Sequence, residues 1–245
     1  MSHFIKYWDN ITWGVHLPTI IIVSGMAYSI LAKKLTVPAA CAGAVIAFII
    51  FKAAGLTGIA MMTAFFLMAS IASSFGIQRK KRFLDPQEQK NGRTLSQVLA
   101  NAGVSALVGL VIIVYPQLAG LMLPVLAAAF ASATADTLSS ELGVLYGSRF
   151  FNVITMKPDE CGSNGVVSLE GTLIGLTGSC TIALLHAFTY GFGLSFLWIV
   201  LAGTVGNLVD SVFGALFERR GLMGNDAVNF FSTLSAGLVA LLFTL

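Results

Sequence analysis

The sequence predicts an all-α, polytopic transmembrane helical bundle of about eight spans, and three observations carry that prediction. Of its 245 residues, 56% are hydrophobic and 10% charged, whereas a soluble domain carries about 25% charged residues. Apolar runs of about 20 residues recur along the chain, the length a helix needs to cross a hydrocarbon core. Nearly all the basic residues fall between those runs, where membrane proteins keep them.

The first run covers about 14–32 and ends at Lys33-Lys34; the second, about 37–54, opens on Pro38. Gly55 separates it from a third at about 57–77, the least marked division in the chain. A basic loop at about 78–94 follows, then a fourth run at about 95–115, closed by Pro116. The fifth, at about 119–147, leads into a loop at about 148–168, and the last three lie at about 169–188, 193–217 and 227–245. These make one integral-membrane domain over 1–245. The N-terminus has no basic n-region and no small-residue cleavage site, so no removed signal is expected.

With an even number of spans, twelve of the fourteen basic residues fall on one side, leaving Lys6 and Lys52 opposite. The positive-inside rule then puts the basic loops in the cytosol and both termini outside, in the cytoplasmic membrane. The net charge of +3 forms no basic stripe interleaved with aromatics, so nucleic acid is not an expected partner. Cys41, Cys161 and Cys180 lack C-x-x-C or zinc spacing and read as reduced thiols. His16 and His186 read as core or interfacial residues, and Trp8, Trp13 and Trp198 as an outer aromatic belt.

An ionisable residue inside a membrane helix costs roughly 2.5–3.5 kcal/mol on insertion scales, so it faces a polar interior and has a use. Asp136 and Glu141 lie in ATADTLSSELG of span five, and Asp210 in GNLVDSVFGALF of span seven. At about 1.5 Å per residue, both aspartates fall in the half of the membrane nearer the basic loops. Ser132, Asp136, Ser139 and Gly143 share one helix face, and Gly203, Gly206, Asp210 and Gly214 another. Small-lined faces pack closely, and carboxylate oxygens from two helices suit a hard cation such as Mg²⁺. Glu141 stands about 140° round the helix from Asp136, placed for a second ion or a group at the cytosolic edge. The same carboxylates fit a second reading, in which they only cross-link helices through hydrogen bonds.

Lys157 precedes Gly162-Ser163-Asn164-Gly165, which leads into a helix beginning at about Ser168. Glycine lets backbone N–H groups approach an anion, and a helix N-terminus adds positive potential, so the loop suits a phosphate. An ordinary turn and cap gives the same letters. Lys90 and Arg93, then Gln97 and Asn101 at successive i+4 steps, continue the basic loop into the membrane as a track for an anionic headgroup. Asn207, Ser211, Asn229 and Ser232 add polar atoms on that side.

In order along the chain, GRTLSQVLANAG, ATADTLSSELG, MKPDECGSNGVVSLEGT, GNLVDSVFGALFERRG and NDAVNFFSTLSAGLVALL resemble the transmembrane protein 19-like family of integral membrane proteins. That family includes the plant phytyl-phosphate kinase, and the resemblance covers about residues 20–245. It is distantly similar to dolichol kinase and phosphatidate cytidylyltransferase. Where the family's glycine loop has Gly or Ala in fifth place, this chain has Val166.

The resemblance implies phosphorylation of an isoprenoid monophosphate, phytyl or polyprenyl, by a nucleoside triphosphate, CTP in the first instance. Asp136 and Asp210, with Glu141 beside them, would hold Mg²⁺. Lys157 and the Gly162–Gly165 loop would take the nucleotide, and Lys90, Arg93, Gln97 and Asn101 the lipid phosphate. The partners implied are the nucleotide, the isoprenoid phosphate and the bilayer, with a homo-oligomer compatible. Two rivals stay open: a nucleotidyltransferase making a CDP-lipid, and a cation- or proton-coupled transporter using the same acids.

Overall fold

The computed structural model describes residues 2–80 and 92–245, with side chains from Leu17 onward. Helix α1 spans Ser2–Leu31, α2 Val37–Ser74, the single turn α3 Ile77–Lys80, and α4 Leu95–Val114. A 3₁₀ turn at Pro116–Leu118 leads into α5, Ala119–Tyr146. Strands β1, Phe151–Asn152, and β2, Val166–Val167, pair antiparallel. Helix α6 covers Leu169–Tyr190, α7 Leu194–Phe213 with a π turn at Gly214–Glu218, and α8 Asn225–Thr244.

Six of these helical segments are long and apolar enough to cross a membrane, and Leu17–Leu31 is a shorter apolar stretch. The 38-residue α2 would extend roughly 57 Å if straight, nearly twice a hydrocarbon core. It is not straight. Gly55 leaves helical geometry at φ 61°, ψ −149°, a conformation open to glycine at little cost. The two arms fold back on each other there: a side chain at Gly58 would meet Ile50, and Lys34 at one end donates to Ser74 Oγ at the other, 2.8 Å away. The expected second and third spans are thus the arms of one helical hairpin, so the described residues supply seven apolar segments of roughly membrane length where eight were expected, with Leu17–Leu31 the shorter stretch at the place of the first.

Helix α5 is the axis of the bundle and packs against α2, α4, α6, α7 and α8. Every residue from Pro124 to Ala135 is buried. The stretch AAAFASATA explains why, because alanine and serine let neighbouring backbones approach from all sides. Phe130 and Leu126 fill the centre against Phe65 and Ile182.

Local signals fix the ends nearest the basic segments. Thr36 caps α2 by accepting from Ala39 N–H, with proline in the first turn. Thr94 and Gln97 form a reciprocal capping box at the start of α4, and Ser168 caps α6 by accepting from Gly171 N–H.

Candidate functional site

The segment after α1 and the segment before α4 are zipped together. Thr36 N–H donates to Arg93 O at 3.0 Å, and Arg93 N–H to Lys34 O at 2.9 Å. Gly92, at φ 74°, makes this approach feasible, since a Cβ there would lie 2.6 Å from Lys33 O. Lys33 also takes a left-handed φ of 52°, uncommon for a residue with a side chain. The zipper sets Lys33, Lys34 and Arg93 on the wall of a polar cavity of about 290 Å³. Across it stand Asp136, Thr137, Ser140 and Glu141 of α5, with Asn229 of α8 alongside.

Behind that wall, the Asp136 and Asp210 carboxyls come within hydrogen-bonding reach of each other, and Ser232 reaches Asp210. The small faces bring their helices together as expected. A side chain at Gly206 would strike Ser132 Oγ, and one at Gly175 would lie 2.9 Å from both Ala135 O and Asn207 Nδ2. Among the described residues, Asp210 Oδ2 and Ser132 Oγ are buried with no hydrogen-bond partner. Two facing carboxylates with an orphaned oxygen suit a cation, because a buried charge is costly unless paired. No group of three or more His, Cys, Asp or Glu side chains forms a ready-made metal cage among the described residues. Mg²⁺ does not require one, since it binds through one or two carboxylates plus water and substrate phosphates.

Glu141 has a partner that the sequence does not advertise. Lys80, 1% exposed, donates to Glu141 Oε2 at 2.6 Å and to the carbonyls of Ala72 and Ser73 at 2.7 and 3.2 Å. One ammonium thereby closes the end of α2 and ties it to α5.

The glycine loop sits beside the far end of α7. Gly165, at φ 75°, lies against Ala215, where any side chain would collide, and a Cβ on Gly214 would lie 3.0 Å from the Gly165 amide nitrogen. Arg219 donates from Nε to Asn164 O at 3.1 Å and from Nη1 to Asp159 Oδ2 at 2.7 Å. The Arg219 contact, with donors from Glu160 N–H and Asn152, holds the Asp159 carboxyl below its ordinary pKa. The Glu218 carboxylate in the π turn comes near Asn164 and adds a further negative charge to the Asp136–Asp210 end of the bundle. Val166 belongs to β2, opposite Asn152, which accounts for a β-branched residue in that place.

Of the expected residues, Arg93, Gln97, Asn101, Asp136, Glu141 and Asn229 line one cavity, and Asp210 adjoins it through Asp136. Gln97 Oε1 accepts from Thr94 N–H and Asn101 Nδ2 donates to Gln97 O, so both also serve the start of α4. Ser211 donates to Asn207 O in its own helix. Lys157 is exposed on the loop between the two strands and does not line the cavity; of the glycine loop, Asn164 and Gly165 meet the π-turn region, while Gly162 and Ser163 belong to the local turn that leads into it. Lys90 lies outside the described residues. Lys33, Lys34, Lys80 and Glu218 are additions: the sequence marks the three lysines only as members of basic segments, and Glu218 stands eight residues after Asp210, about 80° away on a regular α-helix. The π turn changes that phase.

The chain matches the family described as Integral membrane protein DUF92 over residues 20–237. An uncharacterized membrane protein of Methanocaldococcus jannaschii is 32% identical over 81% of this chain and 81% of its own length. An uncharacterized membrane protein of Synechocystis is 31% identical over 87% and 84%. Protein VTE6, chloroplastic, of Arabidopsis thaliana is 25% identical over 94% of this chain and 72% of its own length. No solved structure matches. With that coverage and the five ordered motifs, the chain belongs to the DUF92 family of integral membrane proteins, the transmembrane protein 19-like group that its sequence resembles.

Proposed function

We propose that the protein is a membrane-embedded kinase that moves the terminal phosphoryl group of a nucleoside triphosphate, CTP in the first instance, onto an isoprenoid monophosphate. The observation that carries this reading is the polar cavity in an apolar bundle, with Lys33, Lys34 and Arg93 on one wall and Asp136 on the other. The resemblance of the five ordered motifs to a family that includes the plant phytyl-phosphate kinase supports it.

An oxygen of the acceptor phosphate attacks the terminal phosphorus, the bond from that phosphorus to the bridging oxygen breaks, and the nucleoside diphosphate leaves. The acceptor is already anionic, so the residues need to align and neutralise rather than remove a proton. Arg93, Lys33 and Lys34 hold the lipid phosphate, while Lys157 and the Gly162–Gly165 loop hold the nucleotide. Asp136 and Asp210 are the residues that would hold Mg²⁺, which when bound neutralises phosphate charge. Glu141, drawn to Lys80, positions the wall of the cavity.

The test is product analysis with phytyl monophosphate, CTP and Mg²⁺ on the purified protein in lipid. Release of CDP with the prenyl diphosphate is expected. Pyrophosphate would identify a nucleotidyltransferase, and ion-driven uptake without nucleotide consumption would identify a transporter. A charge-assisted hydrogen bond contributes roughly 1.5–3 kcal/mol, so Arg93→Ala should raise the KM for lipid phosphate about tenfold or more and leave that for nucleotide nearly unchanged. Lys157→Ala should do the reverse, and steady-state kinetics with each substrate varied reads both.

We place the basic end in the cytosol from the bias of Lys and Arg. A cysteine at Gln87, which lies outside the described residues, should then resist an impermeant thiol reagent in intact cells. Labelling there would invert the topology and turn the proposed site away from cytosolic nucleotide.

A further inference from the structure

The polar cavity is not alone at Arg93. A second cavity, about 210 Å³ and almost wholly apolar, lies between α1, both arms of α2 and α4, and shares Arg93, Gln97 and Asn101 with the first. A cationic and polar chamber therefore meets an apolar one across Arg93, just before α4, and Gln97 and Asn101 on the first turns of that helix. Ile21 and Tyr28 of α1 and Leu67 of the second α2 arm line the apolar cavity and are also exposed at the outer surface. Its mouth opens sideways between those helices, on an apolar face that a bilayer would cover.

We propose that this cavity seats the first isoprene units of the lipid phosphate, which enters laterally between α1 and the second arm of α2 and leaves the rest of its chain in the bilayer. The inference rests on the prenyl-phosphate reading above and adds which helices read the tail and how much of it they read. The charge pattern selects the occupant. A neutral lipid would bring no charge to the cationic wall formed by Arg93, Lys33 and Lys34, and a soluble phosphate would leave the apolar chamber unfilled. A cavity of about 150 Å³ holds one benzene ring, so this one accommodates on the order of ten carbons, or two isoprene units. Chains longer than that extend past Ile21 and Leu67 into lipid, where further length adds no contact with protein. Lipid is as apolar as the cavity, so selectivity here comes from shape and close packing rather than from burial as such.

Gly25 and Gly43 line the cavity, and each leaves room for a side chain: a Cβ on Gly25 meets nothing within 4 Å, and one on Gly43 only Leu35 Cδ1 at 4.0 Å. Gly43→Ala should therefore be tolerated, whereas Gly43→Phe and Gly25→Phe should fill the space. The experiment measures binding of geranylgeranyl monophosphate to the full chain in detergent, and maps crosslinks from an analogue with a diazirine on its second isoprene unit.

The expected result is a tenfold or greater loss of affinity in both Phe variants, wild-type affinity in Gly43→Ala, and crosslinks on α1 or the second arm of α2. Unchanged affinity in both Phe variants, or crosslinks confined to α6 or α7, overturns the proposal. If the lipid binds and crosslinks as expected but no triphosphate donor is ever turned over, the tail site stands and the kinase reading falls. Turnover with an unaltered lipid KM in both Phe variants has the opposite meaning.

Discussion

Asp136→Asn and Asp210→Asn are each expected to lower phosphoryl transfer by about 10²–10³-fold or more, the scale of losing a group that stabilises transition-state charge, while the protein stays inserted and folded. Asparagine keeps the shape and adds an amide donor. With the two carboxyls within hydrogen-bonding reach, one amide in place of one acid removes a repulsion and supplies a hydrogen bond. Thermal stability without divalent ions should therefore hold or rise. The discriminating measurement is the Mg²⁺ dependence of that stability: a cation bound to the folded state raises the unfolding temperature by mass action, and this increment should vanish in both variants. Wild-type turnover at limiting Mg²⁺ in both would remove the metal reading and leave the aspartates as helix cross-links.

Lys80→Met is the substitution expected to cost the most stability. It removes the only cation bonded to Glu141 among the described residues and leaves the Ala72 and Ser73 carbonyls without that donor. Breaking a buried pair from one side costs about 3–5 kcal/mol, much of it the uncompensated charge left behind. Glu141, 19% exposed, keeps some access to water, which favours the lower end of that range. Adding Glu141→Gln should recover part of the loss, because a neutral amide has less need of the ammonium. Unfolding in mixed micelles across the two single variants and the double variant gives the coupling directly, and additive effects would show that the pair does not act as a unit.

Much of the architecture was legible because hydropathy and charge are long-wavelength signals. Apolar runs located the helices, and Gly55, the least marked division, is where α2 folds back. The acids and the α4 track were legible because polarity inside an apolar run has few innocent causes. Pairings between distant segments were not. Nothing in the periodicity links Lys34 to Arg93, or Lys80 to Glu141 sixty-one residues later, so the sequence marks the lysines that build the site only as members of basic segments. Gln97 belongs to a Thr-x-x-Gln capping box that was present in the sequence and passed over for a ligand role. Gly165 read as an anion cradle, and its packing against Ala215 gives it a second reason to be glycine. Glu218 was hidden by the π turn, which changes the angle that a uniform helix assigns to it.

The reversal at Gly55 also bears on how the chain enters a membrane. Two arms of about 18 residues joined by so tight a turn have almost no polar connection to carry across, Lys52 being their one charged side chain. The pair is therefore suited to insertion as a preformed helical hairpin, both ends staying on the side of synthesis. The first wall of the apolar cavity would then be assembled before α4 has left the ribosome.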